Sequence, residues 1–306
     1  MGFRIAIIGA GAMGHLIGGL LSLSNASVDL IDVDEVKVRA IRRGGVAIVA
    51  PEGEIQAKPG ALHASEARCC YDASIILVKS YHTREASVLA SRITGSRGVV
   101  VTLQNGLGNL EILRGIAGDR AHGGSTTWGA TLLQPGRVLL GGRGVVYIES
   151  PRPGYEEAHQ GLVSAMEEAG LSPRVVDDID SVLWAKAAVN SVINPITGLL
   201  HVRNGFISMN RWARRLAEEV ASEVEMIARA EGVNLGNVLD TVLRVAEATK
   251  DNRSSMLQDL EACRRTEADS IMGEIVERGR RHGIQASHLE ALYLLVKAAE
   301  EACRQD

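Results

Sequence analysis

Residues 3–14 read FRIAIIGAGAMG, and this stretch decides the fold of the first half of the chain. FRIAII, which is apolar apart from Arg4, reads as a buried strand. The glycines after it have the spacing G-x-G-x-x-G, and residues 15–23 continue as a helix. Glycines in this context allow a tight turn, close approach of a pyrophosphate, and packing of the helix on the strand. The stretch therefore predicts a dinucleotide-binding loop consisting of Gly9, Ala10, Gly11, Ala12, Met13 and Gly14.

An acidic residue ends the next predicted strand, residues 27–31. Asp32 follows the glycine loop at close to the spacing of about 20 residues expected for the acid that binds the adenosine ribose hydroxyls. Val33, Asp34 and Glu35 come next, and no arginine stands beside them, so a 2′-phosphate would meet carboxylates. The sequence therefore favours NAD(H) and leaves NADP(H) as the alternative. The other interpretation of Asp32 is a loop or helix-cap residue.

Two further buried strands are predicted at residues 74–78 and 98–103, followed by Lys79 and Asn105 respectively. Ligands of open α/β sheets bind outside the carboxyl ends of the strands, so both side chains are candidates for ligand contact. Ordinary loop chemistry is the alternative, because Asn-Gly is a common turn. Short strands between residues 122 and 149 predict an antiparallel extension of the sheet. A helix at 155–169 and a strand at 173–176 complete this half.

No convincing strand follows residue 180. The patterns predict helices at residues 181–194, 211–231, 235–249, 256–282 and 287–304, the first of them kinked at Pro195. A chain of 306 residues is long for a single core. The fold class is therefore an α/β Rossmann-type domain, residues 1–177, followed by an all-α domain, residues 178–306.

A polar stripe interrupts the first helix of the second half. Lys186, Asn190 and Asn194 occupy positions i, i+4 and i+8 within an otherwise apolar sequence, so they share one face. A lysine in such a helix is costly without a partner or a ligand. An ordinary exposed stripe is the alternative, although two asparagines and a lysine are an unusual way to make one. The pattern therefore favours a functional role for these three side chains.

Glu267 falls on the apolar face of the helix predicted at 256–282, together with Leu260, Cys263, Ile271 and Ile275. A carboxylate on such a face needs a counter-charge or a hydrogen-bond donor, and Lys186 is the candidate. A structural salt bridge or a solvated glutamate is the alternative.

Composition excludes several classes of protein. The net charge is −4, which gives no electrostatic footprint for nucleic acid or a membrane surface. The glycine-interrupted start is unlike a signal sequence, no apolar run is long enough to span a membrane, and no His or Cys spacing predicts a metal site. The four cysteines are expected to be free thiols in a reducing cytosol.

These residues carry a resemblance over nearly the whole length to the ketopantoate reductase (2-dehydropantoate 2-reductase) family. The matching motifs are GAGAMG at residue 9, VKSY around Lys79, LQNGLGN around Asn105, WAKAAVNSVINP around Lys186, RNG around Asn204, and NRSSMLQDLEACRRTEAD from residue 252. The last motif contains both Ser255 and Glu267. One departure is Asp32-Val33-Asp34, where well-known NADPH-dependent members have an arginine.

The resemblance implies a Rossmann domain, a helical domain of the 6-phosphogluconate-dehydrogenase-like C-terminal type, and an active site in the cleft between them. It makes Lys186 the proton donor and Glu267 the residue that orients it. The residues matching the family's keto-acid site are Asn190, Asn194, Asn204, Asn252, Arg253, Ser254 and Ser255. Asn105 is also expected to bind and orient the substrate. Those matching its cofactor contacts include Lys79, Asn105, Ala130 and Glu267. Hinge closure is expected around residues 177–181.

The expected activity is reduction of 2-dehydropantoate to (R)-pantoate in pantothenate and coenzyme A biosynthesis, in the cytoplasm. An NAD-dependent (R)-2-hydroxyacid dehydrogenase acting on another branched or aromatic 2-keto acid would use the same residues. A non-catalytic NAD(H)-sensing protein would need the glycine loop and Asp32 but not the Lys186 stripe. The partner is a small-molecule keto acid, and apolar helix faces in the second half allow a homodimer.

Overall fold

The computed structural model describes residues 2–303. The chain forms two compact units. Among the described residues, the first contains 2–104 and 109–179, and the second contains 105–108 and 180–303. The short segment Asn105–Gly108 thus belongs to the helical unit, although it lies far from the rest of that unit in sequence.

Twelve strands lie within residues 2–303, all in the first unit. They are β1 (Arg4–Ile8), β2 (Ser27–Asp32), β3 (Val46–Ala50), β4 (Gly53–Ala57), β5 (Gly60–His63), β6 (Tyr71–Ile76), β7 (Thr94–Thr102), β8 (Ala121–Thr126), β9 (Gly129–Gln134), β10 (Arg137–Gly142), β11 (Val146–Glu149) and β12 (Pro173–Val176).

Eight of these strands form one sheet in the order β12-β11-β8-β7-β6-β1-β2-β5. The six strands from β8 to β5 are parallel, and β11 pairs antiparallel with β8. Parallel strands are covered on both faces, which explains the apolar residues 5–8 of β1 and the two isoleucines that end β6. Ile5, Ile7 and Ile75 are fully buried there. The prediction of a Rossmann-type sheet is confirmed.

The remaining four strands form a second sheet in the order β4-β3-β10-β9. The predicted antiparallel extension of the main sheet is therefore wrong for β9 and β10. β10 pairs with β3, and β9 pairs with β10 rather than with β8. The physical reason is the β3–β4 hairpin, in which Val46 and Ile48 are buried. β4 pairs with one edge of β3, and β10 pairs with the other. Only β11 and β12 extend the main sheet.

Five helices cover the first unit: α1 (Ala12–Leu21), α2 (Glu35–Gly44), α3 (Thr83–Ile93), α4 (Asn109–Ala117) and α5 (Glu156–Glu168). Single 3₁₀ turns occupy Ser80–His82 and Gly118–Arg120. Helix α1 packs against the second sheet as well as the main one. Gly19, on that helix, shows why the fit is close, because a Cβ there would lie 3.1 Å from Ile48.

The helical unit contains α6 (Ile179–Leu200), α7 (Phe206–Met209), α8 (Arg211–Ala230), α9 (Val238–Ala248), α10 (Ser255–Glu261), α11 (Glu274–Arg281) and α12 (Ser287–Ala302), with a π-helical segment at Asp269–Gly273. Across residues 2–303, no helix is both long and apolar enough to cross a membrane. Helix α6 continues through Pro195 to Leu200, so its predicted end near Asn194 is wrong. Its flanks at Val192 and Ile196 are buried, and this packing holds the helix together beyond the proline.

The helix predicted at 256–282 is also wrong. Helix α10 ends at Glu261, Cys263 has a φ of 49°, and helical structure resumes only at Ala268. Leu260 and Ile271 are both buried, but they lie on separate helices. The helical spacing of apolar residues is the same on both sides of the break, so the sequence pattern resembles that of one long helix. Glu267 therefore stands at the start of a helix rather than in the middle of one.

The cysteines form bonded pairs, so the prediction of free thiols is wrong. Cys69 is joined to Cys70 and Cys263 to Cys303. The second pair is separated by 40 residues in sequence, with its Cα atoms 5.4 Å apart. Sequence spacing gave no sign of this pairing, because the fold brings the 262–266 turn against the end of α12.

Candidate active site

The glycine loop joins β1 to α1. Gly9 has a φ of 106° and donates its N–H to Ile31 O at 2.8 Å. A Cβ at Gly14 would overlap the carbonyl oxygen of Gly9, whereas a Cβ at Gly11 would meet nothing within 4 Å. Gly11 is the N-cap of α1, and no side chain caps that end of the helix. Ala10 is buried in the loop, and Ala12 and Met13 open the helix. An uncapped helix start beside open space fits the pyrophosphate of a dinucleotide.

Asp32, at the end of β2, is tied to this loop. One carboxylate oxygen accepts from Ala10 N at 2.6 Å and the other from Asp34 N at 2.8 Å. The helix cap is Asp34 instead, which accepts from Val36 N at the start of α2. Each carboxylate oxygen has a second acceptor direction, so these bonds leave capacity for ribose hydroxyls.

Lys37 is a residue that sequence reasoning missed. Its Nζ lies 3.7 Å from Asp32 and 3.5 Å from Asp34. No arginine stands beside Asp32, but this lysine in the first turn of α2 reaches both carboxylates. Lys37 therefore partly neutralises the acidic end of β2.

His15 is a second residue that the sequence did not single out. Its side chain is fully buried on α1, and Nδ1 lies 3.0 Å from Gly11 O. Nε2 accepts the N–H of Gly136 at 3.1 Å, so the neutral ring carries its proton on Nδ1. Burial lowers the pKa of His15. The histidine thus ties the glycine loop to the β9–β10 turn, and its only sequence signal is a polar residue on the buried face of α1.

Lys79 and Ala130 lie elsewhere in the first unit. Lys79 follows β6 by three residues, is half-buried, and accepts His82 N through its carbonyl. Its loop is held by buried Gln104, which donates to Val78 O at 2.9 Å and to the Thr83 hydroxyl at 2.9 Å. Ala130 lies on β9, a strand that packs against α1.

In the helical unit, Lys186, Asn190 and Asn194 follow one another along α6 as the period predicts. Asn194 is buried, and the other two are half-buried. Burial lowers the pKa of Lys186 to about 8, while the negative charge of Glu267 acts in the opposite direction and raises it. The lysine is thus close enough to Glu267 for their charges to interact, and its ammonium group gives up a proton far more readily than an exposed lysine does.

Glu267 is 6% exposed and accepts from Asn105 Nδ2 at 3.4 Å. Asn105 reaches it because the 105–108 segment lies on the helical unit: Leu107 N donates to Ser270 O at 2.8 Å, and the Ser270 hydroxyl donates to Asn105 O. The structure thus brings an amide, a carboxylate and an ammonium group together from three distant parts of the sequence.

The remaining predicted substrate residues form a second group. Asn204 N donates to Asn252 O at 3.1 Å, and Asn204 Nδ2 donates to Thr249 at 2.9 Å. Asn204 Oδ1 is buried and receives no hydrogen bond within residues 2–303. A buried carbonyl oxygen without a donor costs about 1–3 kcal/mol, so a donor from a ligand would be favourable here.

Ser254 and Ser255 have different positions. Ser254 is buried and caps α10 by accepting from Leu257 N, whereas Ser255 is exposed in the first turn. Thr197, which sequence reasoning missed, donates to the Ser254 hydroxyl at 2.8 Å from α6. Arg253 is exposed and pairs with Glu261. Thr197 therefore joins the 252–255 segment to the helix that carries Lys186.

Comparison with known proteins follows the same division of the chain. A family model described as "Ketopantoate reductase PanE/ApbA" matches residues 5–153, and the model of its C-terminal part matches residues 178–300. A 2-dehydropantoate 2-reductase of Pyrococcus horikoshii is 36% identical, over 97% of each chain. Another, of Archaeoglobus fulgidus, is 34% identical over 97% of this chain and 98% of its own. A solved D-mandelate dehydrogenase with NADH and anilino(oxo)acetate superposes with a TM-score of 0.92 at 28% identity, covering 99% of each chain.

Proposed function

Because the chain belongs to the ketopantoate reductase family, we propose that it is an oxidoreductase that reduces 2-dehydropantoate to (R)-pantoate with a nicotinamide cofactor. Residues 1–177 would hold the cofactor and residues 178–306 the keto acid. The observation that carries the proposal is the Lys186–Glu267–Asn105 group, because a lysine with a pKa near 8 is an effective proton donor at neutral pH.

The chemistry follows from this group. When bound, the reduced nicotinamide supplies a hydride to C2 of the keto acid. Negative charge then develops on the former carbonyl oxygen, where the Lys186 ammonium group stabilises it and donates its proton to complete the alcohol. Lys186 is left neutral and regains a proton from water. Glu267 keeps Lys186 charged between turnovers. The side-chain amide of Asn105 orients either the Glu267 carboxylate or the substrate.

Asn190, Asn194 and Asn204 suit a substrate with a hydroxyl group better than an aromatic one. The buried Asn204 Oδ1 is the strongest sign, since it lacks a donor among the described residues. We propose that it accepts a hydrogen bond from the C4 hydroxyl of 2-dehydropantoate. This favours 2-dehydropantoate over the aromatic keto acids that the second candidate, a general (R)-2-hydroxyacid dehydrogenase, would take.

A substrate pair tests this proposal. We expect kcat/KM for 2-dehydropantoate to exceed that for 3,3-dimethyl-2-oxobutanoate, which lacks only the hydroxyl, by about 10²-fold or more, since sites built to bind a hydroxyl reject analogues without it. Asn204→Ala should lower the first value and leave the second nearly unchanged. Steady-state rates with both substrates, and with phenylglyoxylate, measure this. Equal rates for the pair, or a preference for phenylglyoxylate, would contradict the assignment.

We also propose NADH as the preferred cofactor. Asp32 has only 10% of its side chain exposed, beside the loop that would hold the pyrophosphate, so a 2′-phosphate would be repelled there. Lys37 reduces this repulsion without removing it, because two carboxylates share the one lysine. A preference for NADH rather than exclusive use of it follows.

Substitutions at these two positions should act in opposite directions. Asp32→Asn keeps an acceptor for the loop amide but removes the charge, and we expect the NADH/NADPH ratio of kcat/KM to fall by about tenfold, or about 1.4 kcal/mol. Lys37→Gln, the matched control, should raise the ratio because it leaves the carboxylates unopposed. Initial rates with each cofactor give both ratios. A wild-type preference for NADPH would contradict the proposal.

A further inference from the structure

Three polar side chains share one face of α12. Tyr293, Lys297 and Glu300 are spaced i, i+4 and i+7, so they lie along one side of the helix. Glu300 is only 6% exposed. A glutamate buried this deeply near the end of a helix is costly unless its carboxylate is fully hydrogen-bonded. The hydrogen bonds that these three side chains make therefore indicate which part of the structure this face of α12 stabilises.

The contacts lie on both sides of Glu267 in sequence. On the N-terminal side, Glu300 Oε1 accepts from Thr266 N at 2.8 Å and from the Thr266 hydroxyl at 2.5 Å. That hydroxyl in turn accepts from Ala268 N at 3.1 Å, so it bridges over Glu267 to the start of the helix. Thr266 is 1% exposed. The backbone around Glu267 is thus fixed by one carboxylate of α12.

On the C-terminal side of Glu267, the residue that α12 holds in place is Asp269. It accepts from the Tyr293 hydroxyl at 2.8 Å and from Lys297 Nζ at 3.2 Å. Lys297 also lies 2.9 Å from Glu300, so one ammonium group joins both attachments. Burial and the Asp269 carboxylate raise the pKa of Tyr293 to about 12, which keeps its O–H as a donor.

Glu267 needs such support because regular helix does not supply it. The chain leaves helical structure after Glu261 and passes through Cys263, with its φ of 49°. Glu267 lies immediately before Ala268, where helical structure resumes. Ile271 N donates to Glu267 O at 3.0 Å on the following side, but the preceding turn has no helical ladder. The bond between Cys263 and Cys303 attaches this turn to the end of α12 as well.

We propose that Tyr293, Lys297 and Glu300 are positioning residues that hold the Glu267 carboxylate where it contacts Asn105 and acts on Lys186. The inference rests on the proposed role of Lys186 as proton donor. It goes beyond that role because it assigns a function in turnover to a helix that carries none of the proposed reacting groups. A purely structural role, in which the face only stabilises the fold, is the competing explanation.

The charges around the site define the expected pH effect. Glu267 faces Lys186. Asp269 faces Arg265, Tyr293 and Lys297. Glu300 also faces Lys297. The Glu267 charge raises the pKa of Lys186. If the carboxylate moves away, that pKa falls, and the loss of activity at alkaline pH begins at a lower pH.

The experiment compares Glu300→Ala with Glu300→Gln. The alanine variant should lower kcat by about 10- to 100-fold, the effect of displacing a group in an active site by a fraction of an ångström to 1 Å, and should move the alkaline limb of the kcat profile to lower pH. The glutamine variant keeps an acceptor for Thr266 and should retain the limb of the wild type. Thr266→Val should resemble the alanine variant, and Thr266→Ser should resemble the wild type.

Glu223→Ala is the matched control. Glu223 is another buried carboxylate, 7% exposed, and it accepts from His288 N and Leu289 N at the other end of α12. Its loss should lower the melting temperature without moving the pH limb. A limb that shifts equally in Glu223→Ala and Glu300→Ala, or equally in the alanine and glutamine variants at position 300, would overturn positioning. Unchanged kcat in Glu300→Ala would do the same. A wild type that does not reduce 2-dehydropantoate would instead refute the proposed function.

Discussion

Replacing Lys186 by alanine is expected to lower kcat for 2-dehydropantoate by about 10²- to 10⁴-fold, the usual contribution of a positioned acid or base. The lysine should contribute at the upper end of this range, because it both stabilises the developing charge and donates the proton. Lys186→Met, which keeps the length of the side chain without its charge, should lose as much activity. Lys58→Ala removes an exposed lysine of the first unit and should retain wild-type kinetics. Steady-state kinetics of the three variants measure this.

The pH profile of the wild type belongs to the same prediction. Reduction requires the protonated form of Lys186, whose pKa is about 8 because burial outweighs the effect of Glu267. Activity should therefore be level on the acidic side and fall above about pH 8, by roughly tenfold per pH unit. An ordinary lysine would place this fall beyond pH 10. If the residual activity of Lys186→Ala kept the same limb, another group would be the donor.

Two alanine substitutions in the glycine loop are expected to fail in different ways. A Cβ at Gly14 would overlap Gly9 O, a backbone atom that cannot rotate away, so Gly14→Ala should cost about 1–3 kcal/mol of folding free energy or more. Gly11 has a φ of −78° that alanine adopts readily, and a Cβ there meets no protein atom within 4 Å. Gly11→Ala should therefore fold normally.

Binding of the cofactor should separate these two variants further. The space beside Gly11 is where the pyrophosphate would approach the backbone, so Gly11→Ala should raise the Kd for NADH by about tenfold or more, which is about 1.4 kcal/mol. Thermal melts with and without NADH, together with fluorescence titration, measure both properties. Tight NADH binding by Gly11→Ala would show that the loop does not hold a dinucleotide in this way, and unchanged stability of Gly14→Ala would contradict the overlap with Gly9 O.

Local patterns predicted the parts of the fold that depend on local interactions. The β1–loop–α1 unit and the polar stripe of α6 are each encoded within a few turns of chain, so strand pattern, glycine spacing and helical period were sufficient. The second sheet was partly missed because β3 and β10 are far apart in sequence, and no local signal shows that they pair.

The candidate site shows the same contrast between local patterns and contacts of distant segments. Lys186 and Glu267 could be singled out because each is a charge in an apolar setting. The helix break at 262–266, the Thr266–Glu300 contact and the Cys263–Cys303 bond depend on packing between distant segments, so the period of apolar residues gave a wrong helix there. Lys37 and His15 were missed because their roles are defined by partners at Asp32 and Gly136.

The Asn105–Gly108 segment has a consequence for dissecting the chain into modules. The helical unit is not continuous in sequence, because Leu107 packs in its core and donates to Ser270 O. A fragment beginning at residue 180 would lack both this contact and the Asn105 amide. A chimaera that joined the first half of one relative to the second half of another would combine an Asn105 segment and a Ser270 surface from different parents. Shuffling of such enzymes should therefore succeed only when residues 105–108 are inherited with the C-terminal half.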